Sequence, residues 1–354
     1  MSLADGLAAL HLEAPPRVPR TEYSADQYHF PLMRRVTGLG AGPDSPPDER
    51  AAMRRAFLKA WDYGLLWNVG LSSDVFGPFR NDMGHAGYAG DGRDQRAAAS
   101  GRPFPEPEDA LAFDPEAALG TPDPAAARRR FEASYRNAAD DYPDAVNMTG
   151  VYVSSMSGLI ELFGWDILLT AAGLDPEGLG SVTHRYARWI QPWFDALAAA
   201  DVPVAMIHDD LVWTSGAFLH PNWYREYIFP NLKRHIRPLL DSGKKVLFTS
   251  DGDYTEFYGD VADCGVHGFV LEPCSSLEAL AARYGQTHVI VGNADTRILL
   301  SGTREAIRAE VARCLDIGRG CPGFFLATGN HIPANTPVEN ALYYHDCYME
   351  LRGR

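Results

Sequence analysis

Along the C-terminal half of the chain, short apolar runs alternate with amphipathic segments in a regular rhythm. The run 203-PVAMIHDD-210 predicts a strand, and Pro221 to Leu240 a helix opened by His220-Pro221. The strand 245-KVLFTSD-251 leads to a helix over Tyr254 to Asp263 that Gly265 closes. The strand 268-GFVLEP-273 leads to 276-SLEALAARYG-285, with glycine at its C-terminal end. Next, 288-HVIVGNAD-295 precedes 303-TREAIRAEVARCLDIG-318, where Thr303 caps and Glu305 suits the first turn. Last, 323-GFFLATGN-330 precedes 336-TPVENALYYHDCYMEL-351, with Thr336 as N-cap and Pro337 at the first helical position.

Each strand is a short, nearly continuous apolar run, as burial on both faces of a parallel sheet requires. Upstream, 146-VNMTGVYVSS-155 predicts another strand, followed by a helix from Met156 to Ala172, and 60-AWDYGLLWNVG-70 an earlier helix and strand. Residues 86–130 are rich in Gly, Pro, Asp and Ala and read as long loops. The first 20 residues read as an arm, and residues 21–354 as one domain. Sequential βα units without a crossover break favour an α/β fold of the (β/α)8 TIM type over an open doubly wound sheet. No G-x-G-x-x-G follows the first strand, so no nucleotide cofactor is expected.

Composition narrows the class. The 354 residues are 46% hydrophobic and 22% charged, enough for a sizeable core. A net charge of −14 argues against nucleic-acid binding or an anionic membrane surface. No apolar stretch reads as a membrane span, and the N-terminus lacks the pattern of a secretory signal. The five cysteines include no Cys-x-x-Cys pair, which suggests reduced thiols and a cytoplasmic enzyme. Cys264 and Cys314 fall inside helical patterns and read as core.

The chemistry concentrates at the C-terminal ends of the strands. These carry His208, Asp209 and Asp210; Thr249, Asp251 and Asp253; Glu272; Asn293 and Asp295; and Asn330 and His331. Turn formation explains Asp251-Gly252-Asp253 alone, but Glu272 is no turn former, and a barrel would bring all five ends to one mouth. Asp251, Asp209, Glu272 and His331 are therefore the candidate catalytic residues. His208, Asp210, Tyr152, Trp213, Thr214, Thr249, Asn293 and Asn330 are candidate substrate contacts. Simpler readings stand beside them: Asp210 as a cap, His208 as a core histidine, Asp295 paired with Arg297. Acid and imidazole groups so clustered suit either general acid–base work or a divalent metal with oxygen and nitrogen ligands, the candidates being Asp251, His208, Glu272 and His331. Aromatic residues near the mouth, Trp213 among them, suit a small flat organic substrate.

The runs 218-FLHPNWYREYIFPNLKRHI-236, Gly243-Lys244-Lys245-Val246, 292-GNADTRILLSGTREAIRAEV-311 and 329-GNHIPANTPVEN-340 resemble the uroporphyrinogen decarboxylase superfamily. The resemblance runs through residues 203–350 and more weakly from Tyr23. It implies a single (β/α)8 barrel with its site at the C-terminal mouth. One branch is the haem-pathway decarboxylase, cofactor-free and often a homodimer, which acts on a porphyrin precursor. The other comprises zinc methyltransferases that work with a corrinoid protein. This chain departs from both. The decarboxylase's Arg-Gln-Ala-Gly-Arg segment and its Phe-Ser-Asp strand end are missing, and 66-LWNVG-70 stands in that region. The decarboxylase's tyrosine, serine and late histidine fall near Gly158, Thr214 and Asn330. The methyltransferases' His-x-Cys is replaced by 249-TSD-251, and no thiol occurs in 328-TGNH-331, which removes a thiolate zinc site. What remains is a small-molecule enzyme of this superfamily, expected to decarboxylate. Methyl transfer with a non-thiolate metal (zinc or another ion) is the alternative, and a non-catalytic tetrapyrrole- or corrinoid-binding barrel the third reading.

Overall fold

The structure, a computed structural model, describes residues 2–25, 29–81 and 103–354. Its elements run α1 (Ser2–Leu10), α2 (Phe30–Thr37), α3 (Pro47–Trp61), β1 (Leu65–Leu66), α4 (Pro107–Ala112), α5 (Pro115–Leu119), α6 (Pro124–Asp141), β2 (Val146–Asn147), β3 (Thr149–Val151), α7 (Met156–Leu174) and α8 (Pro176–Ala199). The second half continues with β4 (Val204–His208), α9 (Pro221–Tyr227), α10 (Phe229–Asp241), β5 (Lys245–Thr249), α11 (Tyr258–Asp263), β6 (Gly268–Val270), α12 (Leu277–Tyr284), β7 (Val289–Ala294), α13 (Thr296–Ser301), α14 (Arg304–Gly318), β8 (Phe324–Thr328) and α15 (Val338–Leu351).

Strands β3 to β8 form one parallel sheet in sequence order, and β1 pairs with β2 in a second, shorter parallel ladder. Continuous pairing thus spans six strands. Single bridges link the rest: Leu71 to Val151 of β3, and Arg20 to both Tyr63 and Leu326 of β8. The Arg20 segment is tied on both sides, because Gly64 N donates to Arg20 O at 2.8 Å and Leu326 N to Pro19 O at 2.9 Å. Beside it, the buried Arg20 guanidinium pairs with Glu22 at 2.7 Å and lies between the rings of Trp61, Tyr344 and Tyr348. Glu22 in turn accepts from Thr328 and Tyr344, so its carboxylate is fully met by donors, while Arg20 Nε is buried without a partner.

The sheet has a core on each face. One face packs Leu65, Met148, Val204, Met206, Leu247, Val291 and Phe325 together, with Ala9 and Leu10 of α1 joining them. The other face packs Ala205, Ile207, Val246, Phe248 and Phe269 against the helices. The continuous apolar runs of the sequence follow from this double burial.

Several expectations are corrected. Residues 107–130 are not loop: α4 and α5 lie there with the start of α6, each opened by a proline in its first turn. Residues 86–102 lie outside the described residues. The helix expected over Pro221 to Leu240 is two, broken at Ile228 because Pro230 cannot donate into a continuous helix. Thr336 does not cap α15, whose N-cap is Pro337, and the Thr336 hydroxyl is buried without a partner. Thr303 and Ser276 do cap their helices. By length and composition α7 could cross a membrane, but 67% of its most apolar window is buried inside the fold.

Candidate active site

Strand parity decides which polar residues meet. Successive side chains alternate between faces, so His208 and Asp210 continue the inward row of Val204 and Met206, while Asp209 continues the helix-facing row of Ala205 and Ile207. On β5 the inward row is Leu247, Thr249 and Asp251; on β6 it is Val270 and Glu272. Asp210, Asp251 and Glu272 accordingly line one cavity of about 260 Å3, with Tyr152, Trp213 and Thr214. Ser157, Glu161 and Trp165 of α7 complete it, and the sequence reading missed them. Their signal was present: Ser157, Glu161 and Trp165 are spaced four apart on a largely apolar helix.

His208 is 2% exposed. Its ring stacks on Tyr152, with centroids 4.0 Å apart and planes 7° from parallel. Nε2 lies 3.1 Å from Asp210 Oδ1, and Nδ1 lies 3.1 Å from the Tyr152 carbonyl and 3.2 Å from Ser157 Oγ. Burial disfavours a charged ring, but the charge and hydrogen bond of Asp210 outweigh it and push the pKa up to about 9. At neutral pH His208 is an imidazolium that donates from both nitrogens.

Asp251 has the opposite fate. Its N–H donates to Asp210 Oδ1 at 3.3 Å, and its carboxyl takes no hydrogen bond from any described residue. Burial first, and then Asp210 and Glu272, push its pKa well above the usual carboxylate range, with His208 opposing only in part. The carboxyl therefore keeps a proton that an exposed aspartate would lose. Beneath it, Thr249 Oγ1 is buried without a partner. Gly252 explains how the turn closes here: its φ is 82°, and a Cβ would meet Trp213 O at 2.6 Å.

Glu272 is anchored, its Oε2 accepting from Gly252 N at 2.8 Å and its Oε1 from Asn330 Nδ2 at 3.1 Å. Asn330 Oδ1 lies 2.6 Å from His331 Nδ1. Burial lowers the pKa of His331, so it is neutral at physiological pH. His331 opens on a neighbouring cavity of about 490 Å3, which Tyr152 also walls and which Arg54 and Arg80 line. The structure does not bring His331 into the first cavity.

Two other candidates lie elsewhere. Asp209 is fully buried toward the helices, where its Oδ1 accepts from Ser157 N at 2.8 Å; burial pushes its pKa up to about 7. Asn293 is fixed by Arg313, Glu272 O and Ser275 O. Cys274 lies 3.9 Å from Glu272 Oε2, and burial raises its pKa to about 11, which keeps it a thiol.

The family's methyltransferase branch makes a metal worth testing against this geometry. One atom each from His208, Asp210 and Asp251 lies within 4.8 Å of the others, a spacing a divalent ion could span. Without an ion His208 is protonated, so a metal would have to displace the Nε2 proton shared with Asp210 while Nδ1 keeps its contact with the Tyr152 carbonyl. No cysteine belongs to the group.

Comparison with known proteins agrees with this architecture. The uroporphyrinogen decarboxylase (URO-D) family matches residues 111–350. The uroporphyrinogen decarboxylase of Pelobacter propionicus is 26% identical over 176 residues, which is 50% of this chain and 50% of that protein. That of Geobacter sulfurreducens is 30% identical over 176 residues, again 50% of each. The chain thus spans about half the length of the curated relatives it matches. A methyltransferase from Methanosarcina mazei superposes with a TM-score of 0.65 at 19% identity, over 98% of both chains, which establishes a shared fold. Matched by the family over more than half of its length, the chain belongs to the uroporphyrinogen decarboxylase family.

Proposed function

We propose that this chain, on one (β/α)8 barrel, decarboxylates a small organic acid by proton transfer at Asp251. The observation that carries the reading is the Asp251 carboxyl itself: inward-facing, bonded to no described side chain, and held by burial, Asp210 and Glu272 above the usual carboxylate range. In the step, the carbon–carboxylate bond breaks and CO2 departs. The electron pair stays on carbon and takes the Asp251 proton to form the C–H bond. The aspartate left behind faces the His208 imidazolium, which favours its charge, and it regains a proton from water. Asp210 holds that imidazolium in place, and Glu272 fixes the Gly252 turn that aims Asp251. No arginine is among the described residues that line this cavity, which favours a smaller acid over uroporphyrinogen with its many carboxylates.

Asp251→Asn tests this. CO2 release from a panel of pyrrole, aryl and amino carboxylic acids should fall by about two to four orders of magnitude, with the circular dichroism spectrum unchanged. Full activity in the variant would overturn the assignment. Anaerobic incubation with uroporphyrinogen should give no coproporphyrinogen. Methyl transfer from a corrinoid protein through a non-thiolate metal is the second reading, favoured by the close approach of His208, Asp210 and Asp251. It requires stoichiometric metal in protein purified without chelator, lost together with activity in Asp251→Asn.

A further inference from the structure

The walls of the Asp251 cavity differ from those of an ordinary acid–base pocket. Trp165 and Trp213 pack against each other on one side of it, ring centroids 5.7 Å apart and planes tilted by 51°, and Tyr152 lines it as well. Trp213 is 43% exposed, unusual for so large an apolar ring. It is nevertheless held in place. Trp213 and Gly216 exchange backbone hydrogen bonds at 2.9 and 3.0 Å, Asp253 N donates to Trp213 O, and Phe218 packs on the ring at 5.3 Å. A fixed indole at a cavity rim presents a ready aromatic face to anything that enters.

The remaining lining residues set its charge. Glu161, Asp210, Asp251 and Glu272 contribute carboxyl groups, and no lysine or arginine is among the described residues that line the cavity. His208 is the cation at its floor, already paired with Asp210. Below the lining, on the same inward row as Asp251, the buried Thr249 hydroxyl has no partner. Weakly hydrated organic cations bind where aromatic faces and carboxylates meet, because the ring quadrupole and the acid both attract positive charge. A divalent ion would make no use of the rings and would compete with Asp210 for the His208 Nε2.

We propose that the substrate carries a cationic nitrogen, of the quaternary or alkylated ammonium class, held by Trp165, Trp213 and Tyr152 with Glu161 and Glu272 as countercharge. The inference rests on the decarboxylation reading, to which it adds a substrate class. A positive nitrogen beside the reacting carbon would also stabilise the electron pair that departing CO2 leaves behind.

The experiment uses the full chain and choline as probe, with its neutral carbon isostere dimethylbutanol as control, in calorimetry and tryptophan fluorescence. Choline should bind and quench fluorescence, and dimethylbutanol should bind at least about tenfold more weakly. Trp213→Ala should weaken choline about fivefold or more, and Trp213→Phe should restore most of the loss. Because Trp213 is on the rim, folding of the alanine variant is checked by its melting temperature. Equal binding of the two probes, no choline binding, or indifference to Trp213→Ala overturns the proposal. So does choline release by zinc or magnesium at stoichiometric concentration. Choline binding without CO2 release from any acid would sink the decarboxylation reading and leave this one standing; CO2 release from neutral-bodied acids with no choline binding would do the reverse.

Discussion

The ends of β4 and β5 carry the same kinds of side chain as the end of β7, and the fold uses them in opposite ways. At β7, Asn293 Oδ1 accepts from Arg313 at 3.0 Å, and Asp295 pairs with Arg297 at 2.7 Å while capping α13. Glu310 accepts from Asp295 N and pairs with Arg313, which also reaches Glu278. Each acid there has an arginine. At β4 and β5 the countercharge is one histidine, and Asp251 resolves the crowding by keeping its proton. A strand-end acid becomes chemically useful where its cation is withheld, at some cost in stability.

The sharpest way to break this comparison is to remove the one countercharged acid of the β4 end. Asp210→Asn leaves burial as the dominant influence on His208, which should then be neutral at pH 7. Imidazole NMR shifts should show that change, and CO2 release should fall about a hundredfold or more. A ring still charged at pH 7 would mean that Asp210 is not its partner.

At β7 the expected effect is on stability rather than turnover. Arg313→Ala leaves Glu310 and Asn293 short of a donor and should cost about 2 kcal/mol, discounted from a fully buried pair because the side chain is 34% exposed. Denaturant titration reads the loss, and kcat should change less than threefold. A large kcat loss without unfolding would make β7 part of the reaction centre.

The smallest effect distinguishes Asp209 from its neighbour. Its folded pKa of about 7 lies above the ordinary 3.8, so the folded state holds an extra proton between those values. Stability from this group is present below the lower value and lost as pH rises through the higher. Asp209→Asn can keep the Ser157 contact and should remove about 1 kcal/mol of stability loss between pH 5 and pH 6, seen as a flatter melting curve against pH. A slope identical to the parent's would show Asp209 ionised throughout.

How much of this was legible differs from residue to residue. Asp251 and Glu272 could be found from sequence, because a carboxylate closing an apolar strand is conspicuous. The sequence makes Asp209 a catalytic candidate and Asp210 a substrate contact or cap; period-two alternation puts them on opposite faces, and only the packing of Ala205 and Met206 into different cores fixes which one faces the cavity. His331 sits at a strand end like the others but opens on the neighbouring cavity. Ser157, Glu161 and Trp165 come from a helix that the strand-end search did not cover.

By itself, the sequence determined the parallel α/β architecture of the second half, the membership of its motifs in one family, and the absence of that family's diagnostic cysteine and arginine segment. Those are local facts, written in apolar runs, caps and short motifs, and they need no knowledge of neighbours. The tertiary structure decided the rest: the insertion of Arg20 beside β8, the sorting of Asp209 from Asp210, the imidazolium at His208 and the proton on Asp251. Charge state depends on burial and on which groups lie within a few ångströms, and residues such as Asp210 and Asp251 acquire those neighbours only when the chain folds.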